Sequence, residues 1–309
     1  MRAVMSPVSR AEAALGRLAV RALRRLQRQT LGVRVRRHTD ARGRVTPYLE
    51  CGTPRRGTLV WVHGFSDRFD TILQAAPHLV RDFRIVSPSV PGFGEGWIDP
   101  SERYTFGAFT GWLERVLRDV VHEPFHLMGN SLGGATALAL AARMPDRVRS
   151  VVALNSAGLE LEGVHCVHRE MAAGQNLFVV REPADLAALN RRVFAREIRI
   201  PRLVFAHLFD ESRRNAAWYA RVTSDLAESE IVAEGAGWRS FVPLPEVRVP
   251  ALVLWGDRDT LLPVAHGEHV ARTVQDGRLE LLEGVGHCAH LESPRRLADS
   301  FRRWAERTS

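Results

Sequence analysis

The chain has 309 residues, of which 45% are hydrophobic and 25% charged, a composition that is ordinary for a globular protein and excludes a disordered or fibrous one. No apolar run of about 18 residues occurs, and no apolar stretch follows Arg2 and Arg10, so we expect neither a transmembrane helix nor a secretory signal peptide. The net charge of +8 comes from residues 1–48, which hold 12 arginines and two acids; the rest is nearly neutral, so we expect no nucleic-acid partner.

The three cysteines, Cys51, Cys166 and Cys288, are odd in number and far apart. This spacing offers neither a disulfide framework nor a zinc site. A chain that does not rely on disulfides suits a reducing compartment, so we predict a cytoplasmic protein.

Residues 1–30 are predicted to be a basic N-terminal arm with an amphipathic helix. Apolar residues recur there at helical spacing, with arginines on the other face; they are Leu15, Leu18, Ala19, Ala22, Leu23 and Leu26. A helix of this kind can bind a membrane surface, cover an active site or pack on the protein body. The sequence therefore allows peripheral membrane contact through residues 1–29 without requiring it.

Residues 31–157 and 246–309 alternate between strand and helix patterns. Short strands are predicted at 33–36 and 44–50, and buried strands at 58–62, 83–87, 125–128, 148–154, 251–255 and 278–282. Helices are predicted near 70–80 and at 106–121, 132–143, 263–274 and 291–306. This alternation indicates an α/β core, a mainly parallel sheet with helices on both faces.

The alternation stops between residues 158 and 245, where the pattern is mostly helical. We interpret this segment as a helical cap inserted between two strands of the sheet, with Pro243, Pro245 and Pro250 marking the return. Its aromatic and leucine residues either pack the cap on the sheet or form an apolar acyl pocket.

The strand at 125–128 runs into the pentapeptide Gly-Asn-Ser-Leu-Gly, residues 129–133, and then into an alanine-rich helix. Strand, Gly-x-Ser-x-Gly and helix in this order form a nucleophile elbow, whose tight turn lifts the serine above the sheet. We therefore predict Ser131 as the nucleophile of a serine hydrolase. The peptide N–H groups of Phe65, after the strand at 58–62, and of Leu132, which opens the helix, are predicted to stabilise the oxyanion.

A serine nucleophile needs a base, and the acid and histidine should follow later strands. Asp257 and Asp259 come just after the strand at 251–255, and His287 lies in a turn after the strand at 278–282. His287 would take the Ser131 proton and return it to the leaving group, while an acid holds its tautomer. The pattern alone leaves both acids open.

Other histidines have simpler interpretations. His63 precedes the nucleophile and lies in a turn, where a structural role is expected. His266 and His269 are predicted on the solvated face of a helix, and His290 as a helix cap or a surface residue.

Five segments together resemble the α/β-hydrolase fold family: His-Gly-Phe at 63–65, Pro-Gly-Phe-Gly at 91–94, Gly-Asn-Ser-Leu-Gly-Gly at 129–134, Trp-Gly-Asp-Arg-Asp at 255–259 and Gly-Val-Gly-His at 284–287. The resemblance covers about residues 45–305. It implies an eight-stranded sheet with a cap after the sixth strand. It also implies the acid at Asp259, the base at His287 and the oxyanion donors at Phe65 and Leu132.

Within the family, the chain is similar to bacterial group V lipases and esterases and to monoacylglycerol lipases. This resemblance implies a carboxylic ester hydrolase that acts on a small-molecule or lipid ester and needs no cofactor or metal. We expect Ser66, Asn130, Phe178 and Trp218 to contact the substrate. Two alternatives remain open: a meta-cleavage carbon–carbon hydrolase, which Asn130 before the nucleophile would suit, and a non-catalytic receptor on the same fold.

Overall fold

A computed structural model describes residues 8–308. The strands, in chain order, are β1 (Arg34–Thr39), β2 (Val45–Gly52), β3 (Thr58–Val62), β4 (Arg84–Pro88), β5 (Phe125–Asn130), β6 (Val148–Leu154), β7 (Leu159–Leu161), β8 (Ala233–Gly235), β9 (Trp238–Ser240), β10 (Ala251–Gly256) and β11 (Gly277–Leu282). The helices are α1 (Arg10–Thr30), α2 (Phe106–Val120), α3 (Leu132–Arg143), α4 (Val167–Ala172), α5 (Pro183–Val193), α6 (Arg202–Ala227), α7 (Val264–Thr273), α8 (Ala289–Glu292) and α9 (Pro294–Arg307).

Eight strands form one sheet in the order β1-β2-β4-β3-β5-β6-β10-β11. The pairs β1–β2 and β2–β4 are antiparallel, and all other pairs are parallel. Every residue of β3, β5 and β10 is buried, as expected for strands covered on both faces. The predicted eight-stranded, mainly parallel sheet is therefore confirmed.

The side chains of each central strand alternate between two cores. Val60 and Val62 of β3 pack in the core that includes α2, α3 and α7, whereas Leu59 and Trp61 pack in the core that includes α8 and α9. This alternation follows from the two-residue period of a strand. Because β3, β5, β6 and β10 pair in parallel, their carboxyl ends, with the loops that carry the predicted site, lie along one edge of the sheet.

One predicted element was wrong in kind. The helix expected near residues 70–80 is instead two short 3-10 helices, Thr71–Gln74 and Ala76–His78. Pro77 lies in the second of them, and because proline has no N–H group it cannot continue an α-helical hydrogen-bond pattern.

The insertion between β6 and β10 contains α4, α5 and α6, and also a three-stranded antiparallel sheet in the order β7-β9-β8. The sequence did not indicate this small sheet, because strands of three residues are too short to show a period. A tight turn joins β8 to β9, with Gly237 at a φ of 76°.

Helix α1 packs against α6 of the insertion. A Cβ on Gly16 would lie 1.8 Å from the Leu203 backbone oxygen, so the two helices approach more closely than any larger residue would allow. Arginines face inward: Arg17 pairs with Asp210 at 3.2 Å, and Arg28 with Asp70 at 2.7 Å.

The leucines of α1 point away from the protein. Their exposed fractions are 55% for Leu15, 62% for Leu18, 62% for Leu23 and 61% for Leu26. We call these four residues the leucine face. The helix is thus docked through its polar side, although its apolar side would have been the expected contact.

Candidate active site

Ser131 lies at the junction of β5 and α3, where it is the N-cap residue of the helix. Its backbone φ is 56° and its ψ is −119°, a conformation that L-residues rarely adopt. The strained turn is held by its neighbours, because Ser131 N–H donates to Leu154 O, and Ser131 O accepts from Ala135 N–H and Ala157 N–H, each at 3.0 Å. Such strain is typical of functional turns.

The two glycines of the pentapeptide are required by close backbone contacts. A Cβ on Gly129 would lie 2.1 Å from Gly133 O, and a Cβ on Gly133 would lie 2.1 Å from Val62 O. Glycine therefore lets α3 start directly beneath the turn and against β3. The result is that the first N–H groups of α3, which have no partner within the helix, lie beside Ser131.

Asp259 and His287 form a buried pair at the ends of neighbouring strands. His287 Nδ1 lies 2.7 Å from Asp259 Oδ2, and both residues are almost inaccessible to solvent. Asp259 Oδ1 accepts hydrogen bonds from Leu261 N–H at 2.8 Å and Leu262 N–H at 3.1 Å. These bonds hold the carboxylate in place, and its other oxygen orients the imidazole through the Nδ1–H group.

Two asparagines form hydrogen bonds with the Asp259–His287 pair. Asn155, with a φ of 44°, donates its side-chain N–H to Asp259 Oδ2 at 2.6 Å. Asn130 is buried and donates to His287 O at 3.1 Å and to Leu154 O at 3.2 Å. The strand end that carries Ser131 is thereby connected to the backbone of the histidine.

The loop after β3 approaches the elbow closely. A Cβ on Gly64 would lie 3.3 Å from Ser131 Cβ, so the next peptide group, that of Phe65, is adjacent to the serine. Within the described part of the chain, no acceptor binds the Phe65 N–H. Together with the Leu132 N–H at the start of α3, it leaves two peptide donors for an oxyanion.

A cavity of about 550 Å³ opens at Ser131 and His287. Most of its wall is apolar and comes from both the sheet loops and the insertion, including Phe65, Phe106, Leu132, Met171, Phe178, Phe241 and Leu262. Its polar groups include Glu160, His168, Asn176, Thr223 and Arg239. This is the composition of a pocket for a largely apolar ligand with a few oriented polar atoms.

Of the four residues expected to contact substrate, the structure places only Phe178 on this cavity. Phe178 packs on Phe65, with ring centroids 4.7 Å apart. Ser66, Asn130 and Trp218 do not line it. Asn130 is occupied in the hydrogen bonds described above, and Trp218 donates its indole N–H to Gly92 O at 2.8 Å.

His168 is a polar group of the cavity that the sequence did not reveal. It lies on α4, and burial lowers its pKa, so that the neutral imidazole is favoured there. No motif surrounds it in the sequence, and only the folding of the insertion over the sheet brings it to the cavity.

Asp257 and three other histidines, His63, His266 and His290, have contacts within the fold. His63 Nε2 accepts the Val90 N–H at 2.9 Å, and Asp257 Oδ1 accepts the Gly284 N–H at 2.7 Å. The surface placement predicted for His266 was wrong, because this residue is fully buried and burial lowers its pKa to about 4. His290 is also fully buried, with its Nε2 3.4 Å from Asp67 Oδ2.

The insertion is bound to the loop that carries His287. His287 N–H donates to Val193 O at 2.9 Å, at the end of α5. Glu292 accepts both the Gly286 N–H and the Ala195 N–H, each at 2.9 Å. The backbone of the insertion is therefore joined to the backbone of the His287 loop both directly and through the Glu292 carboxylate.

Residues 8–308 contain no group of three or more His, Cys, Asp or Glu side chains that could hold a metal ion. Burial raises the pKa of Cys288, the neighbour of His287, well above its usual value, which favours the unreactive thiol over the thiolate. None of the helices in this same range is long and apolar enough to cross a bilayer.

Comparison with known proteins agrees with this geometry. A family model described as the alpha/beta hydrolase fold matches residues 57–294. The chain is 24% identical over 277 residues to Lipase 1 of Psychrobacter immobilis, covering 89% of this chain and 85% of that protein. It is 26% identical over 290 residues to monoacylglycerol lipase ABHD6 of Bos taurus, covering 88% and 82%.

Among solved structures, a membrane phospholipase A described as a bacterial virulence factor is similar, with a TM-score of 0.87 and 26% identity over 95% of this chain and 92% of that chain. These relatives confirm the predicted class of enzyme, a serine hydrolase of carboxylic esters, and favour neither the carbon–carbon hydrolase nor the receptor alternative. The sheet, the strand–elbow–helix unit and the family match lead to one conclusion: the chain belongs to the α/β-hydrolase fold family.

Proposed function

We propose that this chain hydrolyses lipid esters by nucleophilic catalysis, with Ser131 as nucleophile, His287 as base, Asp259 as orienting acid, and the peptide N–H groups of Phe65 and Leu132 as oxyanion donors. The observation that carries the proposal is the His287–Asp259 hydrogen bond of 2.7 Å beside a cavity that Ser131 and His287 both line. The insertion between β6 and β10 serves as the cap of that cavity.

The reaction has two steps. Ser131 Oγ attacks the ester carbonyl carbon while His287 Nε2 takes the hydroxyl proton, and the carbonyl oxygen becomes an oxyanion facing the two peptide donors. Collapse breaks the bond to the alkoxy group, which leaves as an alcohol with the proton from His287. Water then attacks the acyl-serine by the same route and releases a carboxylic acid.

A lipid ester is the favoured substrate for two reasons. The cavity wall is mainly apolar, so an acyl chain that enters it leaves water for hydrocarbon-like surroundings. This transfer stabilises the bound state by about 0.8 kcal/mol for each buried methylene. In addition, the relatives described above are named as lipases and a phospholipase A. Acylglycerols are therefore the first natural esters to examine.

The nucleophile is tested with a panel of p-nitrophenyl esters of increasing chain length. We expect Ser131→Ala to lower kcat by on the order of 10⁶-fold on the best ester, as is typical when a serine nucleophile is removed. Ser156→Ala, a buried serine next to the elbow that does not line the cavity, is the matched control and should keep kcat within a few-fold. Equal activity in the wild type and Ser131→Ala would refute the proposal.

The acid is tested by a pair of equivalent substitutions. Asp259→Asn should lower kcat by about 10⁴-fold, because the amide no longer fixes the His287 tautomer. Asp257→Asn should have little effect, because an amide oxygen can still accept the Gly284 N–H. The same loss in both variants would mean that Asp259 acts only through loop structure.

The leucine face is the proposed site of peripheral membrane contact. Four large apolar side chains lie exposed on one helix, which is unusual for a surface in water, and an enzyme that acts on lipid esters must meet a lipid phase. The protein itself is proposed to reside in the cytoplasm, which is consistent with the free thiols of Cys51, Cys166 and Cys288.

Vesicle flotation tests this contact. Leu15→Ser/Leu18→Ser should reduce binding to phospholipid vesicles several-fold, because each leucine contributes apolar burial in the interface. Leu281→Ser/Leu291→Ser removes two exposed leucines from other elements and is the matched control. If the first pair instead converts a dimer to a monomer in sedimentation and leaves vesicle binding unchanged, the leucine face binds a second copy of the chain.

A further inference from the structure

A basic cleft of about 660 Å³ lies between α1, α6 and the loops that carry Arg68 and Glu95. The arginines that line it are Arg17, Arg21, Arg24, Arg25, Arg28, Arg68 and Arg214. We call this feature the arginine cleft. It is separate from the cavity at Ser131, since the two share no lining residue.

The carboxylates of the arginine cleft do not balance its arginines. Four acids pair with this set: Asp70, Glu95, Asp210 and Glu211. Seven guanidinium groups therefore face four carboxylates, and the cleft keeps an excess of positive charge. The excess does not follow from the arginine-rich composition alone, because the fold brings these seven arginines together around one cleft.

Within residues 8–308, Arg24 has no close carboxylate partner in the cleft. Its side chain is largely buried, and its nearest carboxylate, on Asp70, is 3.9 Å away. Burial and the nearby charge of Arg68 lower the pKa of Arg24. The Nε atoms of Arg17, Arg28 and Arg68 are also buried without a hydrogen-bond partner. A bound anion would supply the negative charge that Arg24 lacks nearby.

Arg21 and Arg25 connect the cleft to the leucine face. In the described part of the chain neither has a carboxylate within 4.0 Å. They follow Leu18 by three and seven residues, a spacing that places all three side chains on one side of a helix. An apolar surface and an unpaired basic edge are thus adjacent on α1.

We propose that the arginine cleft binds the phosphate of an anionic phospholipid headgroup. The proposal rests on the membrane contact inferred above for the leucine face. Guanidinium groups match phosphate oxygens because they present paired donors in a plane. The lipid source is favoured over a free phosphate because the cleft opens beside the leucine face, where a headgroup would lie once the leucines enter the acyl layer.

The test uses the full chain carrying Ser131→Ala, so that no lipid is hydrolysed during the measurement. Binding to vesicles of phosphatidylcholine alone is compared with binding to vesicles that also contain phosphatidylglycerol. We expect Arg21→Gln/Arg25→Gln to lower binding to the mixed vesicles by about 5-fold for each arginine and to leave binding to phosphatidylcholine unchanged. Arg248→Gln/Arg278→Gln makes the same change of charge on exposed arginines outside the cleft and should change little.

Three results would overturn the proposal. An equal loss in the cleft and control variants would show that only net charge matters. No preference of the parent protein for mixed vesicles would show that no anionic headgroup is bound. Binding of inorganic phosphate that Arg21→Gln/Arg25→Gln abolishes, with binding to mixed vesicles left at the parent level, would identify a soluble phosphate as the ligand. Thermal unfolding of each variant checks that it is folded. Ester hydrolysis is measured separately on the protein that keeps Ser131. A failure of the proposed hydrolase activity is therefore distinguishable from a failure of the proposed headgroup binding.

Discussion

Helices α3 and α1 are held in opposite ways. All residues of α3 from Leu132 to Ala141 are buried, and close backbone contacts fix the helix against the sheet. In α1 only Ala13 and Gly16 are buried, the leucines are exposed, and the arginines reach inward to carboxylates. Apolar periodicity therefore reports which side of a helix is apolar. It does not report which side is inside, because ion pairs and a close glycine contact can decide that instead.

The strongest test of this comparison is the same substitution at the two helix contacts. Gly133→Ala would place a Cβ 2.1 Å from Val62 O, and Gly16→Ala would place one 1.8 Å from Leu203 O. We expect Gly133→Ala to lower the free energy of unfolding by about 4 kcal/mol or more, because α3 cannot move away from the sheet. Gly16→Ala should cost less than about 1 kcal/mol globally, because α1 can separate as a unit, and should speed proteolysis near residue 30.

Urea unfolding followed by tryptophan fluorescence measures both variants. Equal destabilisation by the two substitutions would mean that α1 unfolds together with the core.

Leucine truncation should give the next largest contrast. Leu138 on α3 is fully buried, and Leu138→Ala should cost about 2–5 kcal/mol through lost burial and a cavity. Leu18 on α1 is 62% exposed, so Leu18→Ala should change the free energy of unfolding by less than about 0.5 kcal/mol. A large loss for Leu18→Ala in the isolated protein would show that the leucine face is covered in solution.

Lowering the pH should weaken the core before it releases α1. Burial lowers the pKa of His126 and His266 to about 4. Because an unfolded histidine titrates near 6.5, the unfolded state takes up protons first, and the stability present above pH 6.5 is lost as the pH falls towards 4. At pH 5 we expect a loss of about 2 kcal/mol for each histidine. Hydrogen bonds from Arg202 and Ser9 lower the pKa of Glu12 on α1 to about 2, so this carboxylate stays ionised at pH 5.

Urea unfolding at pH 7 and pH 5 checks this prediction. The variant His126→Gln/His266→Gln should lose less stability between the two pH values than the wild type, and an identical loss would contradict the assignment.

The smallest expected difference between α1 and a helix of the core concerns the helix caps. Ser9 accepts the Glu12 N–H at the start of α1, and Thr105 accepts the Ala108 N–H at the start of α2. Each substitution by alanine should cost about 1 kcal/mol. For Ser9→Ala the cost should appear only as faster hydrogen exchange in the first turn of α1, whereas Thr105→Ala should lower the global free energy of unfolding. Global destabilisation by Ser9→Ala would argue that α1 is part of the cooperative core.

The sheet and the placement of His287 beside an acid that follows β10 were largely predictable from the sequence, whereas the choice between the two acids, the details of the insertion and the outer helix were not. Buried strands such as β3 and β5 appear as apolar runs, and the loops that follow them meet at one edge, which brings His287 to Asp259. Short elements carry no such signal, so β7–β9 were missed. The hydrogen bonds from the Asn130 amide to backbone oxygens were not predictable either, because they depend on which strand ends become neighbours.

The shared partners of the insertion and the His287 loop have a mechanical consequence. Val193 O accepts the His287 N–H, and Glu292 joins Gly286 to Ala195. An outward swing of the end of α5 must either break these bonds or pull the imidazole with it. Displacing the end of α5 would therefore misalign the proposed base, and any opening of the cavity that preserves this alignment has to occur elsewhere on the insertion. In the proposed mechanism, the alignment of His287 therefore depends on three backbone N–H groups at the contact between its loop and the insertion.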